Sequence, residues 1–229
     1  YLGIWPAWLA DPAEFLPWRV RTTGFILPDE VCAVFPDSLQ NFLSRNLDPV
    51  LIAGGTGTFA GPAFFRLAIA ACNRIHVPAI VVCRRHELMP DPLPAGIHWE
   101  FAVTSLFALM RRVSTVIHHG GMGTAAEACA AGVPQVVFSS GADRTHNALR
   151  LERLGLAVKS GPNDAPEVLA AKLNIARSSP RMKRRCAQMA ERIRCDTSAS
   201  TFFSIVEDVC NGCFCQSRLH LKSHSRNAR

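Results

Sequence analysis

Two glycine-rich stretches and the side chains beside them hold the residues best suited to chemistry. The first is Gly54-Gly55-Thr56-Gly57-Thr58, which follows the apolar run Val50–Ala53. The second is Gly120-Gly121-Met122-Gly123-Thr124, which follows Val113–His119. Glycine lets the main chain come close to a ligand, and loop amides backed by a helix N-terminus suit an anion. Each stretch matches G-x-G-x-x-A, as Gly55-x-Gly57-x-x-Ala60 and as Gly121-x-Gly123-x-x-Ala126. A short pattern that occurs twice specifies little by itself, and tight turns of an ordinary α/β protein are the plain alternative. The second stretch carries more. His118 and His119 stand directly ahead of it, Thr124 offers a hydroxyl at the helix start, and Glu127 lies one helical turn further on. His119 can donate to a phosphate oxygen, the loop amides can hold a diphosphate, and Glu127 can accept from ribose hydroxyls. A lone histidine at a strand end is most often structural. A histidine, three glycines, a threonine and a glutamate within nine residues are harder to set aside.

Such loops need a scaffold, and the chain supplies one after Pro49. Short β-rich runs at Val50–Ala53, Ala79–Cys83, Ile97–Phe101, Val113–His118, Gln135–Ser139 and Leu156–Lys159 alternate with helical patterns at 62–75, 105–112, 124–131, 144–154 and 165–177. Near-continuous apolar strands separated by helices predict an α/β fold, a Rossmann-like doubly wound parallel sheet of about six strands covered on both faces. Pro62 suits the first turn of its helix. Gly132 and Pro134 end the alanine-rich helix, and Gly155 ends the one that Asp143 is expected to cap. Asp164 and Glu167 are spaced like a capping box. Helical patterns at 180–194 and 198–210 close the domain. The expected organisation is an aperiodic, proline- and tryptophan-rich connector at 1–48, the Rossmann-like domain at 49–210, and a basic, disordered tail at 211–229.

Composition narrows the setting. Of 229 residues, 48% are apolar and 19% charged, enough apolar content for a substantial core. The net charge of +7 is uneven: residues 1–180 hold 15 Lys/Arg against 14 Asp/Glu, and residues 181–229 hold 10 against 4. The body is near neutral, which argues against a nucleic-acid partner. No run approaches the ~18 apolar residues of a membrane span. The chain opens on Tyr1 without a signal pattern, and is expected to be a processed product or the back portion of something longer. Nine scattered cysteines, most in apolar contexts, fit reduced thiols and a cytoplasmic protein.

The stretch from His118 to Pro134, followed by Asp143-Arg144-Thr145-His146-Asn147-Ala148 and by Arg150 to Gly155, resembles the donor-binding signature of family 1 glycosyltransferases. These are two-domain, GT-B-type enzymes of the UDP-glycosyltransferase kind, hexosyltransferases that use nucleotide-diphosphate sugars. The His-His-Gly-Gly form is most similar to bacterial rhamnosyl-, sterol- and antibiotic-type members. Trp5-Pro6-Ala7-Trp8-Leu9 and Thr23-Gly24-Phe25 resemble the connector entering their C-terminal domain, and the similarity runs in order over about residues 1–210. The resemblance implies one half of a GT-B fold. It also implies that His119, Gly121, Met122, Gly123 and Thr124 contact the donor diphosphate, approached by Gly55 and Thr56 from the first loop. Glu127 would bind ribose, and Asp143, with Arg144 beside it, hydroxyls of the transferred sugar.

It further implies inverting, metal-independent transfer to the hydroxyl of a small-molecule or lipid-like acceptor, with no cofactor and with the catalytic base in an N-terminal domain absent from this chain. No catalytic residue is then expected here, and the chain alone should bind a donor while transferring little. Two positions depart from the pattern: Arg144 stands where the family has Gln, and Val103-Thr104-Ser105 replaces an aromatic-x-Pro sequence.

Other readings stand beside this one. An NADP-dependent oxidoreductase would use the Gly55–Ala60 turn and take a 2′-phosphate on Arg84 or Arg85, but leaves the His119–Glu127 cluster unexplained. A non-catalytic donor-fold module would keep the site without turnover. Cys210, Cys213, Cys215, His220 and His224 invite a zinc reading, yet their spacing is short for the usual fingers, and no metal is expected. The basic run Arg181–Arg194 reads as a solvated helix face, with at most peripheral contact with an anionic membrane.

Overall fold

Four-residue runs such as Val50-Leu51-Ile52-Ala53 and Gln135-Val136-Val137-Phe138 are buried along their whole length, which requires cover on both faces. The computed structural model describes residues 1–11, 20–27, 33–55, 60–196 and 198–211. In chain order the elements are β1 (Leu2–Gly3), β2 (Arg21–Thr22), α1 (Asp37–Arg45), β3 (Val50–Ala53), α2 (Pro62–Arg74), β4 (Ala79–Val82), β5 (Ile97–Glu100), α3 (Leu106–Met110), β6 (Thr115–His118), α4 (Met122–Ala131), β7 (Gln135–Phe138), α5 (Ala142–Arg153), β8 (Ala157–Ser160), α6 (Pro166–Ser178), α7 (Pro180–Arg194) and α8 (Ser198–Cys210).

The six strands β3 to β8 form one parallel sheet in the order β5-β4-β3-β6-β7-β8. The chain lays strands outward from β3 on one side, then returns to place β6 on the other. That reversal opens a crevice beyond the carboxyl ends of β3 and β6, where doubly wound sheets bind ligands. Ala53 lies opposite His118 in the register, so the two glycine-rich loops emerge side by side.

Alternate residues of each strand feed two cores. Val50, Ile52, Val81, Ile117 and Val136 pack with Phe64, Phe65 and Ile69 of α2 and with Leu169 and Leu173 of α6. Leu51, Ile80 and Val116 pack on the other face with Leu39, Leu43, Leu109, Met110 and Ala128. Burying residues of this size contributes ~1.5–3 kcal/mol each relative to exposure.

Contacts divide the chain into two units, Tyr1–Ile26 with the residues from Asp196 onward, and Leu27–Cys195. These bounds differ from those the sequence predicts, after 48 and after 210. In the first unit, β1 and β2 pair in parallel, Trp8 meets Phe25 edge-on at 5.8 Å, and Trp5 Nε1 donates to the Ala10 carbonyl at 2.9 Å.

Three local expectations change. Within 1–48, residues 37–45 form α1, because Leu39, Phe42 and Leu43 recur at helical spacing and reach the core. Asp143 does not cap α5: the helix opens at Ala142 behind Gly141, leaving Asp143 inside its first turn. Asp164 and Glu167 form no capping box. Asp164 instead accepts from Ser160 Oγ, the Gly161 N–H and Lys172 Nζ, while Glu167 pairs with Arg74. The Pro62, Gly132 and Gly155 expectations hold, with both glycines at positive φ.

Candidate functional site

The second loop is built from strand β6 outward. His118, the last residue of β6, is fully buried, and its ring turns beneath the loop that follows. Its Nδ1 accepts from the Gly120 N–H at 3.2 Å, and its Nε2 meets Gln135 Oε1 at 2.9 Å. Burial holds this ring down at about 4, with the Gln135 hydrogen bond opposing and His119 adding to the depression.

His119 follows and points the other way, half-buried, between the two glycine-rich loops. A Cβ on Gly55 would overlap His119 Cε1, and a Cβ on Gly121 would stand 2.5 Å from Nε2. Only glycine at both positions lets the imidazole lie there. Burial first, and then the Arg144 guanidinium, lower the His119 pKa, while the Ala53 carbonyl beside the ring and Asp143 pull it up. At Nδ1, which is buried, no hydrogen bond of good geometry closes. The neutral ring is a hydrogen-bond donor that an arriving anion would drive toward the protonated form.

Helix α4 begins immediately beyond. Its N-cap is Gly121, so no side chain caps its first turn and the orphan N–H groups there face an open site. These amides and the positive end of the helix dipole make an anion seat without any metal ligand.

The walls around this seat enclose a cleft of about 560 Å³, within the range of small-molecule sites. Gly55, His119, Gly121, Gly123, Thr124 and Glu127 all line it. Six residues singled out from the sequence are therefore brought into one cavity. Met122, Asp143 and Arg144 are not among its lining residues. Asp143 is exposed in the first turn of α5 and accepts from Asn147 Nδ2 at 3.3 Å. Arg144 packs by the second loop, since a Cβ on Gly120 would lie 3.1 Å from Arg144 Cβ. Thr56, with Gly57 and Thr58, lies outside the described residues, as do Cys213, Cys215, His220 and His224 of the zinc reading.

Glu127 is half-buried. Burial raises its pKa, opposed by the Phe107 N–H that its carboxylate accepts from. It thus sits at the cleft wall tied to the start of α3, where Ser105 caps the helix by accepting from Ala108 N–H.

Most of the remaining walls were not legible as site residues, Val103 standing in the sequence only as a departure from the aromatic-x-Pro pattern. Val82, Cys83, Ala102, Val103 and Leu106 supply an apolar side, and Arg84 a cation at the carboxyl end of β4. From the sequence, Arg84 stands out only as a phosphate ligand for NADP. Its neighbour Arg85 is committed elsewhere, donating from Nη2 to the Ala60 carbonyl at 2.6 Å. Asn147 was also missed: it is buried and donates to the Gly120 carbonyl at 3.1 Å. The cationic residues Arg181, Lys183, Arg184, Arg185 and Arg192 of α7 are exposed, and Arg194 pairs with Glu191 at 2.6 Å. Among the described residues, no helix is long and apolar enough to cross a membrane.

Residues 74–208, more than half of the chain, match the family described as erythromycin biosynthesis protein CIII-like, C-terminal domain. Vancomycin aglycone glucosyltransferase of Amycolatopsis orientalis is 33% identical over 182 residues, 79% of this chain and 43% of that enzyme. The chain spans about half the length of that enzyme and of other curated relatives. Among solved structures, glycosyltransferase VinC in complex with dTDP superposes with a TM-score of 0.70 at 22% identity, over 90% of this chain and 51% of that one. UDP-glucose: anthocyanidin 3-O-glucosyltransferase in complex with UDP superposes with a TM-score of 0.74 at 13% identity, over 92% and 53%. At these identities the structural likeness shows the fold alone, that of GT-B glycosyltransferases.

Proposed function

The chain belongs to the erythromycin biosynthesis protein CIII-like C-terminal domain family of glycosyltransferases, and on that premise we propose that it is the donor half of a two-domain, GT-B-type glycosyltransferase. It binds a nucleotide-diphosphate sugar in the cleft between the β3 and β6 loops. The observation that carries this is the His119 ring, seated between two side-chain-free glycines beside the uncapped N-terminus of α4.

The chemistry follows from charge. As the bond between the anomeric carbon and the diphosphate breaks, negative charge grows on the departing phosphate oxygens. The α4 amides, the helix dipole and the His119 N–H stand ready to meet it, so they bind the leaving group more tightly as it leaves. The apolar wall of Val103 and Leu106 offers a surface to the nucleoside base, and Glu127 an acceptor to ribose hydroxyls. Asp143 and Arg144, outside the cleft lining, would serve the sugar ring as it projects past α5. The reading assigns no metal to the site and no base to this chain: an N-terminal domain would supply the base and the acceptor pocket, and displacement would invert the anomeric centre. The described cysteines are all unpaired thiols, which supports a cytoplasmic setting.

The NADP reading is weaker on two counts. Arg85 is occupied by Ala60, and a dehydrogenase has no use for the Gly121–Glu127 side of the cleft. UDP and dTDP, the ligands of two structural neighbours, are the first probes. Calorimetry on the purified protein is expected to show saturable binding of at least one of them, weakened about 10- to 100-fold by His119→Ala, and none of NADPH. Binding of NADPH but of neither nucleoside diphosphate would overturn the proposal.

A further inference from the structure

Gly120 is the corner on which the second loop turns toward α4. Its φ is +91°, and a Cβ there would meet Val137 Cγ1 and Arg144 Cβ at 3.1 Å. Both peptide units around this residue are gripped from the side away from the cleft. The Gly120 N–H donates to His118 Nδ1, and its carbonyl accepts from Asn147 Nδ2. Because Nδ1 accepts, the His118 proton resides on Nε2 and is donated to Gln135 Oε1. Gln135 Nε2 reaches Cys129 Sγ at 3.3 Å in turn, which anchors the chain of contacts on α4. His118 and Gln135 are 0% exposed and Asn147 2%. Neither His118 nor Asn147 lines the cleft.

A buried, mutually satisfied polar network fixes one geometry where apolar packing tolerates several. We infer that His118 and Asn147 are positioning residues: by gripping the peptide units on either side of Gly120 from within the core, they set the direction in which the first turn of α4 presents its amides to a diphosphate. The inference rests on the donor-site reading. It assigns to the first histidine of the pair a role opposite to that of the second. His119 touches the ligand, whereas His118 acts only through the main chain.

Two substitutions separate the halves of the His118 contact. An asparagine Oδ1 falls near the position of histidine Nδ1, so His118→Asn keeps an acceptor for Gly120 and abandons Gln135. A glutamine amide falls near Nε2, so His118→Gln keeps Gln135 and abandons Gly120. Urea denaturation would measure stability, and calorimetry would measure UDP and dTDP affinity. His118→Gln is expected to weaken binding about tenfold, and His118→Asn no more than about threefold, at comparable stability. Equal affinities for both variants, or losses that simply track stability, would overturn the inference. Absence of binding by the unaltered protein would instead overturn the donor-site reading, and this inference with it. If a variant does not fold, the unaltered protein decides: its Gly120 amide is expected to resist hydrogen exchange without ligand, and rapid exchange there would refute the grip.

Discussion

Gly121→Ala isolates the contribution of the His119 ring. Gly121 sits at φ −64° and ψ 139°, a conformation open to any residue, so the change strains no backbone. The added Cβ stands 2.5 Å from His119 Nε2 and 2.9 Å from Cε1. Ordinary contact is near 3.5 Å, so the ring must withdraw by roughly 1 Å. It cannot retreat toward the first loop, because its Cε1 already fills the place of a Gly55 side chain. The ring therefore leaves its position against the diphosphate seat. A hydrogen bond to a charged group is worth ~1.5–3 kcal/mol, so the dissociation constant for UDP or dTDP should rise by about 10- to 100-fold. Stability should fall by no more than about 1 kcal/mol, since alanine is only a poorer N-cap than glycine. Calorimetry beside thermal denaturation measures both. The double variant His119→Ala, Gly121→Ala should bind no more weakly than His119→Ala alone, because the two act through one ring. Affinity within about twofold of the parent for Gly121→Ala, or additive losses in the double variant, would refute the reasoning.

Other outcomes follow from the same geometry. His118 is held at about 4 against an ordinary 6.5, so the unfolded chain takes up a proton between these values that the folded one refuses. The stability it contributes is full above pH ~6.5 and drains as pH falls to ~4, about 3 kcal/mol in all; urea titrations should show this loss reduced in His118→Asn, and an unchanged pH slope would count against it. Arg144→Gln removes a cation that depresses His119, so the His119 ring should titrate at higher pH by NMR; a fall or no movement would contradict the assigned field. Asp164→Ala strips the acceptor shared by Ser160, Gly161 and Lys172. It should cost about 1–2 kcal/mol in denaturant without altering nucleotide affinity, and weakened binding would show that β8 and α6 reach the site.

Much of the fold was legible because its signals are local. Each predicted strand matches an observed one to within two residues; the four inner strands were plainest, since a strand buried on both faces must be a short, nearly unbroken apolar run. The helix starts at Pro62 and ends at Gly132 and Gly155 were equally plain, because proline and glycine act through their own backbones. Helix α1 was hidden by length: nine residues hold only Leu39, Phe42 and Leu43 on the inner face, amid a proline-rich stretch. The Asp143 and Asp164 caps failed for a related reason. A capping residue is recognised by its spacing to a helix start, and those starts lie one or two residues away from where the pattern put them.

The sequence by itself determined the parallel sheet, the two glycine-rich loops and the residues of the second, because periodicity, glycine and a dense cluster of polar types are properties of short segments. Tertiary structure alone decided that β3 and β6 are neighbours in register, which packs Gly55 against His119 from 64 positions away in the chain. It alone divided the histidine pair, turning His118 into the core under Gly120 and His119 out to the cleft. Adjacent residues at a strand end face opposite sides of the sheet, and which side is interior depends on what the rest of the chain packs there.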